Sequence, residues 1–363
     1  MIIKKYFQEA RGIEKNFNKK ILFVGSESYE APVITILEGL YKLGFQIDVF
    51  KSNINSWFCE NLISAASEGY DFCLSGQQWG TRWDLIPSNL IKIMVDGSDV
   101  VNGNDTWIKK ANSFVDDHGK CVPSDLTQDV FLERWALPLG NYTPDILFTS
   151  QKQFTSSHEA NFYLPFGITD FYKNPKSRSF KDREIDFAHI SGPGQKRNEV
   201  DALVARGLIP GNTFYGKVYG DPKFPSPISA MASKDQNIHS YHRWASNPAY
   251  VSALGNCKCI LYGGIDHWPF WDSKRPWEAL SSGSYFLFTK PPIDISEYPL
   301  SECDSFAECT DYRELVEKAL YLYSHPSEFE TRIKKMSERA LKYFSSTSLA
   351  RYFLLKIYQT LHK

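Results

Sequence analysis

The sequence predicts an α/β protein made of two successive Rossmann-like halves, and three observations carry that reading. Short all-apolar runs alternate with amphipathic segments at helical spacing, the pattern of βαβ units that build parallel sheets. The 363 residues exceed what one hydrophobic core normally serves, so two domains are expected. The polar, proline-containing segment Lys173-Asn174-Pro175-Lys176-Ser177-Arg178 separates one alternating series from the next, as a linker does. The expected units are residues 1–172, residues 173–345, and a closing helix over 346–363 that is free to cross back to the first unit.

Each element follows in order. Ile21-Leu22-Phe23-Val24-Gly25 reads as a strand buried on both faces. Pro32 opens a helix with Val33, Ile36, Leu37, Leu40 and Leu43 on one face, and Gly44 supplies its C-cap. A strand over 45–50, a helix over 58–67 and a strand over 70–75 come next, then a polar loop over 76–80 and a strand over 91–95 that ends at Asp96-Gly97. Residues 107–142 lack a clear period, and strands return at 145–150 and 161–165. The second series opens with a strand over 185–190, the turn Ser191-Gly192-Pro193-Gly194, a helix over 196–206 and a strand over 213–215. A central strand over 257–262, a helix over 274–282 and strands over 285–289 and 306–308 complete it. Asp311 caps a helix carrying Leu315, Val316, Ala319, Leu320 and Leu322, Pro326 opens the next, and 346–362 forms the last.

Composition narrows the function classes. Hydrophobic residues at 42% and charged residues at 23% exclude a disordered or fibrous chain. Forty-one Lys and Arg against 42 Asp and Glu leave no overall field to draw the molecule onto nucleic acid, which argues against a nucleic-acid partner and leaves only a local basic patch for one. Seven cysteines without a Cys-x-x-Cys pair suit free thiols in a reducing compartment, so the protein is expected to be cytoplasmic. Cys257 and Cys259 alternate in an apolar strand, which puts both on one buried face as core thiols rather than metal ligands. Residues 1–20 lack the pattern of a signal peptide, and no run approaches the ~20 apolar residues of a membrane span. Integral membrane association is therefore not expected, and oligomeric state is left open.

The most informative stretch is Arg275-Pro276-Trp277-Glu278-Ala279-Leu280-Ser281-Ser282-Gly283, between a buried strand and the strand that begins at Tyr285. It resembles glycosyltransferases of the GT-B fold, in particular the CgeB-like spore-maturation group, whose C-terminal half carries Arg, an aromatic, Glu, Ala and a following Gly in this order. Three further segments stand in the matching sequence. Tyr163-Leu164-Pro165-Phe166-Gly167-Ile168-Thr169-Asp170 is similar to the segment that closes the first domain in that family. Asp186-Phe187-Ala188-His189-Ile190-Ser191-Gly192, with Lys196-Arg197 beyond it, resembles the glycine loop that opens the second. The stretch from Asp311 through His325-Pro326 to Arg351-Tyr352 is similar to the closing helices. The likeness covers most of residues 160–360, whereas the N-terminal half matches only as a generic βαβ domain.

The resemblance implies two Rossmann-like domains facing a central cleft, and transfer of a sugar from a nucleotide-diphosphate sugar to a carbohydrate or other hydroxyl acceptor. Gly192 and Gly194 would admit close backbone approach to the diphosphate, Lys196 or Arg197 would neutralise it, and Arg275 opens the helix that bears Glu278. The family's matching Glu accepts two hydrogen bonds from the donor ribose, which gives Glu278 that role, and Gly283 completes the motif. The plainer reading keeps Glu278 as a helix-surface carboxylate and the glycines as turns. One departure concerns the second Glu that many retaining GT-B enzymes place eight residues earlier: Phe270 stands there, with Asp266 and Asp272 out of register, so the stereochemistry stays open. There is no Asp-x-Asp motif, so neither a metal nor another cofactor is expected. An inverting reaction needs a base from the first domain, for which Asp96, Glu27 and His118 are candidates; each reads equally well as a turn or loop residue. Trp79 and Trp83 either stack on an acceptor sugar or pack the domain. Two other functions fit the same architecture: a nucleotide-sugar epimerase, and a non-enzymatic two-domain protein that closes on a small ligand.

Overall fold

The structure, a computed structural model, describes residues 6–25, 33–51, 69–75, 86–96, 144–149, 160–170, 178–190, 195–216, 254–263, 274–289 and 306–363. The expected helix over 58–67, the loop over 76–80, the stretch over 107–142 and most of the linker lie outside these residues.

Two parallel sheets organise the chain. The first contains β1 (Lys20–Gly25), β2 (Gln46–Lys51), β3 (Phe72–Ser75), β4 (Lys92–Asp96), β5 (Ile146–Thr149) and β6 (Asn161–Tyr163), in the order β2-β1-β3-β4-β5-β6. The second contains β7 (Ile185–Ile190), β8 (Thr213–Gly216), β9 (Cys257–Tyr262), β10 (Tyr285–Thr289) and β11 (Phe306–Cys309), in the order β11-β10-β9-β7-β8. Every pairing is parallel. Each sheet reverses its order once, at β1/β3 and at β7/β9, and in open α/β sheets ligands bind beyond the carboxyl ends of the strands at such a point.

The apolar runs form strands because both faces of these sheets are covered. Ile21, Leu22 and Phe23 are fully buried, as are Phe286 and Leu287. Helix α1 (Val33–Lys42) buries Val33, Ile36, Leu37 and Leu40, and Gly44 stands just beyond it at φ 86, a conformation that costs glycine nothing. Helix α2 (Gln195–Ala205) returns from β7 and buries Val200 and Val204; helix α3 (Lys274–Ser282) joins β9 to β10. Then come α4 (Tyr312–Ser324), α5 (Pro326–Phe344) and α6 (Ser346–Leu361). Asp311 caps α4 by accepting from the Glu314 amide at 2.8 Å, while the Glu314 carboxylate reaches back to the Thr310 amide at 2.5 Å and its hydroxyl at 2.7 Å.

The last helix belongs to the first sheet. Phe353 of α6 lies 4.6 Å from Phe148 and 5.8 Å from Phe72, ring centre to ring centre, so α6 completes a core whose strands come from far earlier in the chain. It lies against α1 so closely that a Cβ on Gly39 would stand 2.1 Å from the Ser346 carbonyl oxygen and 2.6 Å from Ala350 Cβ. Where the chain passes between the sheets, Ile168 donates to the Phe344 carbonyl at 2.8 Å and Ser346 donates to that of Ile168 at 3.0 Å. Glu38 of α1, fully buried, closes this joint. Its carboxylate accepts from the Asp170 amide at 2.9 Å, Ser346 Oγ at 2.7 Å, Lys42 Nζ at 2.5 Å and the Thr169 hydroxyl. Burial pulls the Lys42 ammonium down, but the Glu38 charge and the hydrogen bonds it donates to Glu38 and Asp170 outweigh it, and its pKa is raised.

The thiols of Cys73, Cys257 and Cys259 are free and buried, Cys309 is buried as well, and loss of solvation pushes Cys257 up to about 12. The expectation that Cys257 and Cys259 share one face needs correction. Cys259 joins the core beneath α2 and α4 with Phe187 and Leu261, whereas Cys257, at the strand's first position, joins the opposite core with Leu254 and Ile260. Among the described residues no helix is long and apolar enough to cross a membrane.

Candidate functional site

At the switch point of the second sheet, α2 begins where β7 ends and α3 begins beyond β9, so both helices present their amino ends at the carboxyl edge of the sheet. Unpaired backbone N–H groups and the helix dipole make such an end attractive to anions. An arginine there sits at the wrong end of the dipole unless it is neutralised. Arg275, in the first turn of α3, has its counter-charge one turn on: its Nη1 donates to Glu278 Oε2 at 2.6 Å. Glu278 is fully buried and the Arg275 side chain is 10% exposed, so the guanidinium is the outer member of the pair.

The opposite face of α3 is tied to the joint between the sheets. Trp277, 1% exposed, lies 5.3 Å from Phe344, and Ser281 Oγ donates to the Trp277 carbonyl at 2.7 Å while accepting from the Thr169 amide at 3.2 Å. The helix that carries the ion pair thus bears directly on the chain crossing.

Gly283 stands at the other end of α3. It adopts φ 69 to close the helix, and its carbonyl accepts from Arg183 Nη1 at 3.0 Å, while Arg183 Nη2 takes the Ser282 carbonyl at 2.7 Å. Arg183 is a buried cation at a helix carboxyl end, its pKa lowered by desolvation. The structure therefore brings Arg275 and Glu278 together and separates Gly283 from them. Lys196 and Arg197 are the second and third residues of α2, which puts their backbone at its amino end. Asp96 is the last residue of β4, paired in register with Thr149, at the carboxyl edge of the first sheet. Gly192, Gly194, Glu27, His118, Trp79, Trp83, Asp266, Phe270 and Asp272 lie outside the described residues.

Of the buried polar residues that escaped the sequence reading, two bear on the site and the joint beside it. Glu38 is one. His189, next to last in β7 and fully buried, is the other: its Nδ1 lies 2.6 Å from Asp201 Oδ1 of α2, and its Nε2 meets no hydrogen-bond partner among the described residues. The available signal was a single imidazole inside the otherwise apolar end of a strand. Among the described residues no group of three or more His, Cys, Asp or Glu side chains is placed to hold a metal ion.

No family model matches the sequence, and no curated protein matches it either. Solved structures do match in three dimensions. Anabaena Alr3699/HepE in complex with UDP-glucose is 11% identical with a TM-score of 0.56, over 94% of this chain and 99% of that one. Sucrose-phosphate synthase from Thermosynechococcus elongatus is 12% identical with a TM-score of 0.56, over 95% and 99%. A glycosyltransferase from Rickettsia africae is 12% identical with a TM-score of 0.53, over 96% and 100%. At these identities the likeness establishes the fold: two Rossmann-like domains in the GT-B arrangement.

Proposed function

We propose that this protein transfers a glycosyl group from a nucleoside-diphosphate sugar to an acceptor hydroxyl without a metal, as a CgeB-like member of the GT-B class. The observation that carries the reading is the buried Arg275–Glu278 pair at the amino-terminal end of α3, on a fold shared with a protein crystallised with UDP-glucose. Glu278, its carboxylate oriented by Arg275, receives the two ribose hydroxyls of the donor. The amino end of α2, which follows Gly192 and Gly194 in the chain and includes Lys196 and Arg197, receives the diphosphate and stabilises the charge that collects there as the glycosidic bond breaks. Asp96, at the carboxyl edge of the first sheet, takes the acceptor proton if the reaction inverts, with Glu27 and His118 as the alternatives. Trp79 and Trp83 give the acceptor sugar its stacking surface.

A panel of UDP-, GDP-, ADP- and TDP-sugars in a thermal-shift assay tests the reading, because a ligand that binds only the folded state raises its stability. One donor should raise the melting temperature, and Glu278→Gln should weaken that donor by about tenfold. Free nucleotide should then appear in proportion to added acceptor and persist in excess EDTA. A panel without any stabilising donor would overturn the proposal. A donor converted to its epimer with no acceptor-dependent release of nucleotide would replace it with epimerisation.

A further inference from the structure

His189 is fully buried next to the carboxyl end of β7, and α2 begins five residues after that strand ends. Its Nδ1 is committed to Asp201 at 2.6 Å, which fixes the proton on that nitrogen in either charge state of the ring. Asp201 is the seventh residue of α2, nearly two turns from its start. The two ring nitrogens point away from each other, so Nε2 is turned away from Asp201, which itself lies well inside α2. It meets no hydrogen-bond partner among the described residues, although a buried polar atom is costly to leave unpaired. The first N–H groups of an eleven-residue helix stand at the carboxyl edge of the sheet, where β7 ends.

We infer that His189 is a diphosphate-binding residue, its Nε2–H donating to an oxyanion settled at the amino end of α2 while Asp201 holds the ring from behind. The inference rests on the donor reading proposed above and adds to it a residue pair. Chemically the arrangement resembles the Asp-His couple of acyl-transfer enzymes: a carboxylate on one nitrogen stabilises the imidazolium that a negative partner on the other calls for. Asp201 acts here as a positioning residue. An imidazole in this place distinguishes a diphosphate from a bare nucleoside, because only the former brings an oxyanion to it.

The test is titration calorimetry of UDP, GDP, ADP and TDP, each beside its nucleoside, on the full chain and on His189→Asn and His189→Gln. The Asn amide keeps the Nδ1 position and its bond to Asp201 but supplies nothing at Nε2; the Gln amide reaches the Nε2 position. For the diphosphate that the wild-type chain binds, His189→Asn should lose about tenfold in affinity with the nucleoside unchanged, and His189→Gln should lose less. In the wild-type chain the 15N resonance of His189 Nε2 should move to its protonated range when that diphosphate is added, and Asp201→Asn should diminish the shift. This spectroscopic readout decides the matter should His189→Asn fail to fold. Wild-type diphosphate affinity in a folded His189→Asn, equal losses for nucleoside and diphosphate, or an unmoved Nε2 resonance would overturn the inference and leave the donor reading standing. A wild-type chain that binds none of the four diphosphates would overturn both.

Discussion

Ser346 Oγ donates to Glu38 Oε1 at 2.7 Å across 308 residues of chain, so the start of the last helix is fastened to the first helix of the fold. The same carboxylate takes the Thr169 hydroxyl and the Asp170 amide. Both passages of the chain between the two sheets therefore end on one buried anion.

Removing that anion leaves two hydroxyls, an amide and the Lys42 ammonium without their shared acceptor. Glu38→Ala should destabilise the protein by about 3 kcal/mol, and Glu38→Gln by less, since the amide oxygen still accepts. Urea denaturation of the two variants checks this. Equal and small losses would show that the joint does not depend on the carboxylate.

Gly39→Ala adds one methyl group where no space exists. The obstacle is the Ser346 carbonyl oxygen, which is backbone and cannot swing aside, so α6 must shift away from α1. The expected loss is about 3 kcal/mol, the upper end for an overpacked core. A melting temperature equal to that of the parent chain would contradict the described packing of α6 on α1.

Stability should fall at both extremes of pH through identifiable groups. Hydrogen bonds from Lys318 and from Thr310 hold the Glu314 carboxyl at about 2, below the ordinary 4.5. A depressed carboxylate contributes in full above its unfolded pKa and loses that contribution as pH falls from about 4.5 through about 2. Glu314→Gln should accordingly flatten the acid limb of the stability profile in that window. Lys42, with its pKa raised, contributes below its ordinary value near 10.5 and loses that contribution as pH rises through the higher folded value, so Lys42→Met should flatten the alkaline limb.

Asp96→Asn keeps the shape of the last residue of β4 but removes its basicity. If the product forms with inverted configuration, turnover should fall at least about a hundredfold with donor affinity unchanged. Rates from single-turnover experiments and the anomeric configuration of the product, read by NMR, check both halves. Near-parental turnover would remove Asp96 from the reaction.

The strands were legible because parallel sheets bury both faces, and a run such as Tyr285-Phe286-Leu287-Phe288 has no other stable place in water. Asp311 announced α4 through local chemistry alone, a carboxylate three residues before the amide it caps. Arg275 and Glu278 were visible for a similar reason, since their spacing places them on one face of one helical turn. Glu38 was not, because what makes it necessary lies 131 to 308 residues away. His189 gains meaning only when α2 folds back and sets Asp201 beside it. Gly283 reads in sequence as part of a binding motif, whereas the backbone uses its left-handed conformation to end α3.

The placement of α6 fixes an order of events during synthesis. Every strand of the first sheet leaves the ribosome well before Phe353 exists, so Phe72 and Phe148 face a missing neighbour and α1 keeps an open seam along Gly39 until α6 emerges. The second sheet has all its strands, and helices α2 to α5, before that moment. Vectorial folding normally favours whatever is made first. In this chain the half that is born first is the half that must wait, and nascent chains stalled short of α6 would present its apolar seam to chaperones and proteases.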